Sequence, residues 1–71
     1  MAFDVEAFSK RLKDLRIEKE LTTIQLGKAL AVSDATVSRW ENGLRIPCAD
    51  NIYNIAEFFC VPAGWLIGLE N

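Results

Sequence analysis

The sequence predicts an all-α domain, a compact bundle of five short helices occupying residues 1–71 as one unit. Three observations predict it. Apolar residues recur at spacings of three and four in successive segments, as they do on one face of a helix. Asp4, Thr22 and Ser33, all residues that cap helix starts, stand just ahead of such segments. No segment alternates apolar and polar residues for long enough to form a strand.

In the first helix, residues 5 to 19, Val5, Phe8, Leu12 and Leu15 form one stripe and Asp4 is the N-cap. Thr22-x-x-Gln25 opens the second as a capping box, with Leu21 and Leu26 as its hydrophobic staple. Ala29 and Leu30 extend the apolar face. Ser33 caps the third helix, Val32 and Val37 repeat the staple, and Gly43 supplies the left-handed residue that ends it. Only Ala31 and Val32 separate the second helix from the cap of the third, so the two must cross at a large angle. Pro47 marks a turn. A fourth helix over residues 49 to 59 turns Ile52, Ile55, Ala56 and Phe59 inward. Pro62 suits the first position of a short last helix carrying Trp65, Leu66 and Leu69.

Composition narrows the function. A chain of 71 residues, 51% hydrophobic and 25% charged, is globular but has a modest core. No apolar run approaches the ~20 residues that span a bilayer, and the acidic start MAFDVEAF lacks the basic region of a signal peptide. Cys48 and Cys60 flank the fourth helix. Their Cα atoms would lie roughly 18 Å apart, too far to bridge, so both are expected as reduced, simply packed thiols in a cytoplasmic protein. With no histidine, no metal site is expected. No paired carboxylates, nucleophile and base, or glycine-rich phosphate loop point to an enzyme, a cofactor or a small-molecule ligand. The net charge of -2 hides a polarity. All eight bases lie between Lys10 and Arg45 among five acids, a local excess of three positive charges, and the remainder holds five acids and no base.

The segment SDATVSRWENG, residues 33 to 43, carries most of the information. At ~100° per residue, Asp34, Ala35, Ser38, Arg39 and Asn42 fall on one half of a helical wheel, and Thr36, Val37, Trp40 and Glu41 on the other. Val37 and Trp40 anchor the helix. The opposite half is small enough for close approach to another surface and holds groups of the kinds that read base edges. The plainer reading is a solvated outer face. Trp40 and Trp65 both fall on apolar faces and are expected in the core. Lys10, Lys13, Lys19 and Lys28 are expected as solvated surface.

The run LTTIQLGKALAVSDATVSRWENGLRIP resembles the helix-turn-helix of the Cro and lambda-repressor family, the xenobiotic-response-element type of bacterial and phage regulators. The resemblance extends from about Arg11 to Gly68, and the helix-turn-helix itself covers about residues 23–42. RLKDLR, VS-x-x-x-VSRWENG-x-RIP and IAEFF-x-VP-x-x-WL-x-G are its landmarks. It implies that the third helix enters the major groove while the second lies across the backbone. Carried over by position, Asp34, Ala35 and Arg39 read base edges with Ser38 beside them. Thr23, Asn42 and Arg45 contact phosphates. Arg16 and Glu41 form a structural ion pair between the first and third helices.

Several residues depart from the family pattern. Thr23 replaces a frequent glutamine and shortens the grip on phosphate. Gly27 replaces the usual alanine, at about 1 kcal/mol of helix propensity. Ala31 stands where glycine is common, which costs on the order of 1 kcal/mol if that residue is left-handed. Asp34 can only accept, as from cytosine N4, or else stabilises the helix N-terminus. Ala35 offers a methyl to thymine. Arg39 can hold guanine through two hydrogen bonds, against a plainer role as a solvated residue or a phosphate contact.

The expected function is sequence-specific binding of double-stranded DNA by a transcriptional regulator. Family habit favours a repressor, acting as a homodimer on a palindromic operator. The segment AGWLIGLEN near Trp65 is the expected dimer contact, because Trp65, Leu66, Ile67 and Leu69 cannot all face inward on one short helix. The place of action is the bacterial cytoplasm, in association with the nucleoid. The alternative is a protein–protein interaction module built on the same fold.

Overall fold

The computed structural model describes residues 3–70. These form α1 (Val5–Glu18), α2 (Thr23–Leu30), α3 (Asp34–Glu41), α4 (Ala49–Phe59) and α5 (Ala63–Leu66). No strand occurs among the described residues.

The helix starts follow from local chemistry. Asp4 accepts from the Ala7 amide at 3.0 Å. Thr22 and Gln25 complete the capping box in both directions, at 3.0 Å to the Gln25 amide and 2.8 Å to the Thr22 amide. Ser33 accepts from the Thr36 amide at 3.1 Å. Each bond satisfies an amide that the helix itself leaves without a partner.

The helix ends share one device. Each helix is followed by a residue of positive φ: Glu20, Ala31, Gly43, Cys60 and Gly68. Just beyond each, an amide reaches back five residues to a carbonyl of the last turn, as from Leu21 to Arg16, Val32 to Gly27 and Leu44 to Arg39. Three of the five use a residue with a Cβ. Ala31, at φ 60°, is the left-handed residue of the turn between α2 and α3.

The core takes residues from every helix: Phe8 and Leu12, Leu26 and Leu30, Val37 and Trp40, Ile55, Ala56 and Phe59, and Leu66. α3 packs against both α1 and α2, and so has one face held from two sides. Gly27 allows the close crossing of α2 by the turn that follows it. A Cβ there would stand 2.7 Å from the Val32 carbonyl oxygen, so alanine could not enter without moving backbone.

Five details differ from the sequence reading. Pro62 is the N-cap of α5 and not its first residue, since its carbonyl accepts from the Leu66 amide at 3.1 Å. Leu69 lies beyond that helix and is 65% exposed. α1 ends at Glu18, with Lys19 its C-cap. Ala29 faces solvent, because the buried stripe of α2 runs through Leu26, Gly27 and Leu30. Cys48 and Cys60 are free thiols and both exposed: they flank α4 outside its buried stripe.

Candidate nucleic-acid interface

α3 is fixed on its inner side. Val37 is fully buried and Trp40 nearly so. The Trp40 ring meets Phe8 of α1 edge to face, with centroids 6.4 Å apart. Such an aromatic contact contributes about 0.5–1.5 kcal/mol beyond the area it buries. The buried Ser9 hydroxyl donates to the Trp40 carbonyl at 2.7 Å.

About two turns further along α1, Arg16 reaches the end of α3. Its Nε donates to Glu41 Oε2 at 2.6 Å and its Nη2 to Glu41 Oε1 at 2.9 Å, while Nη1 donates to the Leu21 carbonyl at 2.8 Å. The paired residues are mostly withdrawn from water. The hydrogen bond to Glu41 is the main cause raising the Arg16 pKa above its ordinary value, against the opposing effect of burial. The expected ion pair is present.

The other side of α3 is open. Asp34, Ala35, Ser38, Arg39 and Asn42 are all exposed, and the wheel's division of this helix holds residue by residue. Among the described residues, the Arg39 side chain forms no hydrogen bond or ion pair within the chain, and neither does that of Arg45. Both guanidinium groups are therefore uncommitted. Arg45 is exposed on the loop after α3, beside a shallow cavity lined by Thr36, Trp40 and Cys48. Thr23 is half-buried at the first turn of α2. Asp34 opens α3, where its charge also complements the helix N-terminus. Asn42 is already engaged: its Nδ2 donates to the Ser38 carbonyl at 2.8 Å and reaches Ser38 Oγ at 3.3 Å.

Sequence reasoning missed Ser9 and Arg11. Ser9 lies beside Phe8 on the buried stripe of α1, and its position there was the available signal. Arg11 lies over the half-buried Trp65 ring, 4.8 Å from its centroid. Its Nη1 donates to the carbonyls of Trp65 and Glu70. Trp65 is thus partly covered by α1 and is less buried than expected. Among the described residues no group of three His, Cys, Asp or Glu side chains could hold a metal ion, and no helix is long and apolar enough to cross a membrane.

Known proteins fit this geometry. The chain is 36% identical over 63 residues to the HTH-type transcriptional activator BcrR of Enterococcus faecalis, covering 89% of this chain and 31% of that one. It is 41% identical over 59 residues to the HTH-type transcriptional repressor RghR of Bacillus subtilis, covering 82% and 44%. The chain thus spans less than half of the length of either relative. Among solved structures, the restriction-modification controller protein C.AhdI of Aeromonas hydrophila superposes with a TM-score of 0.79 at 27% identity, over 89% of this chain and 96% of that one. Hydroxypropylphosphonic acid epoxidase of S. wedmorenis contains the same unit within a longer chain, with a TM-score of 0.81 at 25% identity over 94% and 36%. The fold alone therefore does not fix an activity. The model of the family described as helix-turn-helix matches residues 12–66, and the chain belongs to that family, in its Cro/C1-type branch.

Proposed function

We propose that this chain is the DNA-binding part of a transcriptional regulator, which inserts the open face of α3 into the major groove of a specific duplex. The observation that carries the reading is the contrast across α3. Val37 and Trp40 lock one side into the core, while Asp34, Ala35, Ser38 and Arg39 stand exposed on the other with an uncommitted guanidinium. Arg39 binds guanine O6 and N7, and Ala35 offers its methyl to thymine. Thr23 and Arg45 contact phosphates on either side and fix the register. The local excess of positive charge supports approach to the duplex. Family membership and the regulator names of the two curated relatives support the same reading.

The regulator acts as a homodimer on a palindromic operator, because one short helix reads few base pairs and two half-sites a turn apart multiply specificity. The exposed Leu69 supports a contact between C-terminal segments, although Arg11 already covers part of Trp65. Occupying an operator represses, the sign expected from family habit. The relatives include both signs. The chain acts in the bacterial cytoplasm, at the nucleoid, and has no catalytic activity of its own.

Selection of bound duplexes from a random pool tests this. The native chain is expected to enrich a short palindromic consensus, and Arg39→Ala to lose preference at one base pair per half-site. A pool that stays unenriched at low salt would contradict the proposal. The exposed Leu44, Ile46 and Tyr53 favour a second reading, a protein-interaction module. Salt separates the two. Duplex binding falls by roughly 0.9 log units per log unit of salt for each phosphate neutralised, whereas an apolar protein contact hardly responds.

A further inference from the structure

The contact between Asn42 and Ser38 gives the groove-facing side of α3 a direction that its composition does not. An amide nitrogen can only donate. Where Asn42 Nδ2 approaches Ser38 Oγ, 3.3 Å away, the serine oxygen is therefore the acceptor. The same nitrogen is held to the Ser38 carbonyl at 2.8 Å, which fixes the carboxamide one turn beyond the serine.

A hydroxyl has one hydrogen and two acceptor positions. Alone, it serves a donor or an acceptor on a base edge equally well, and serine consequently reads ambiguously. With one acceptor position occupied by Asn42, the hydroxyl keeps its hydrogen and a single acceptor position, which tilts it toward donating away from the helix. Among the described residues it donates to no other group.

We infer that Asn42 is a specificity-determining positioning residue, which holds Ser38 as a hydrogen-bond donor toward acceptor edges in the major groove. Those edges are guanine O6 and N7, adenine N7 and thymine O4, and the disfavoured ones are the amino groups of cytosine and adenine. This rests on the DNA-binding reading above. It differs from the phosphate role expected for Asn42, because both contacts engage the Nδ2 donor at Ser38, and the amide oxygen that remains can only accept, as a phosphate does.

The test is selection from a random duplex pool with the full chain, comparing native, Ser38→Ala and Asn42→Ala, each first shown to be folded by circular dichroism. The expected result is that both variants flatten the same single position of each half-site. The native preference there, for a base with an acceptor edge, is expected to be roughly five-fold and to fall close to parity, while the Arg39 position keeps its preference. Asn42→Ala weakening all sequences equally would overturn the inference and return Asn42 to a phosphate contact. Flattening at a position different from that of Ser38→Ala would overturn it as well. A native chain that enriches no consensus would instead overturn the DNA-binding reading itself.

Discussion

Arg16 and Glu41 meet through two parallel hydrogen bonds, 2.6 Å and 2.9 Å long, which tie the last turn of the chain's first helix to the last residue of the third. The Glu41 side chain is only 6% exposed. A carboxylate so withdrawn from water is tolerable only while paired. Arg16→Met removes the partner and should destabilise the fold by about 3–5 kcal/mol, read as a fall in urea midpoint. Adding Glu41→Leu should recover much of that loss, since the main cost is the unpaired charge. No recovery would mean that the pair itself is the stabilising element. Glu41 raises the Arg16 pKa, so the pair's contribution is complete below the unfolded-state arginine value and lost only as pH rises through the folded one. Stability measured between pH 6 and 9 should show no step from this group.

Gly27 reverses an ordinary expectation. Glycine inside a helix costs about 1 kcal/mol relative to alanine, so propensity alone makes Gly27→Ala stabilising. The Cβ would lie 2.7 Å from the Val32 carbonyl oxygen, a backbone atom that cannot swing aside. The substitution should therefore lower the melting temperature, and a rise would show that the turn can yield.

Ala31 points the other way. It holds φ 60°, a conformation that costs a residue with a Cβ about 1–2 kcal/mol. Glycine removes that strain but gains entropy in the unfolded chain, about 0.4–1 kcal/mol. Ala31→Gly should stabilise by up to about 1 kcal/mol, with the melting temperature rising by a few degrees.

These two positions show what the sequence could and could not disclose. Capping and patterning act within one or two turns, so Thr22–Gln25, Ser33 and the division of α3 into a buried and an open face were legible from spacing alone. The left-handed turn at Ala31 was legible as a conditional. Contacts between distant segments were not. Ser9 donating to the Trp40 carbonyl, and Arg11 laid over Trp65, depend on how the helices cross. The thiols failed for a related reason. Apolar neighbours in sequence suggested packing for Cys48 and Cys60, but they flank α4 outside its buried stripe. Among the expected site residues, the placement of Asp34, Ala35, Ser38 and Arg39 was legible. The Ser38–Asn42 bond was overlooked, although a four-residue spacing on a helix is where such bonds form.

Arg45 and Arg39 should separate in their response to salt and sequence. Arg45→Ala should weaken binding to all duplexes alike and reduce the slope of log affinity against log salt by about 0.9. Arg39→Ala should leave a sequence-dependent loss of about 1–3 kcal/mol, confined to duplexes carrying the preferred base. Equilibrium titrations at four salt concentrations, with the selected duplex and a scrambled one, distinguish the two patterns.

The central claim, that the open face of α3 is the surface a duplex meets, is tested most directly by following backbone amide signals of the isotope-labelled protein as the selected duplex is added. The account predicts the largest shifts at residues 34 to 42 and at Thr23 and Arg45, with Leu44, Tyr53 and the far side of α4 little changed. Shifts confined to Leu44, Ile46 and Tyr53, or none at any residue at low salt, would contradict it.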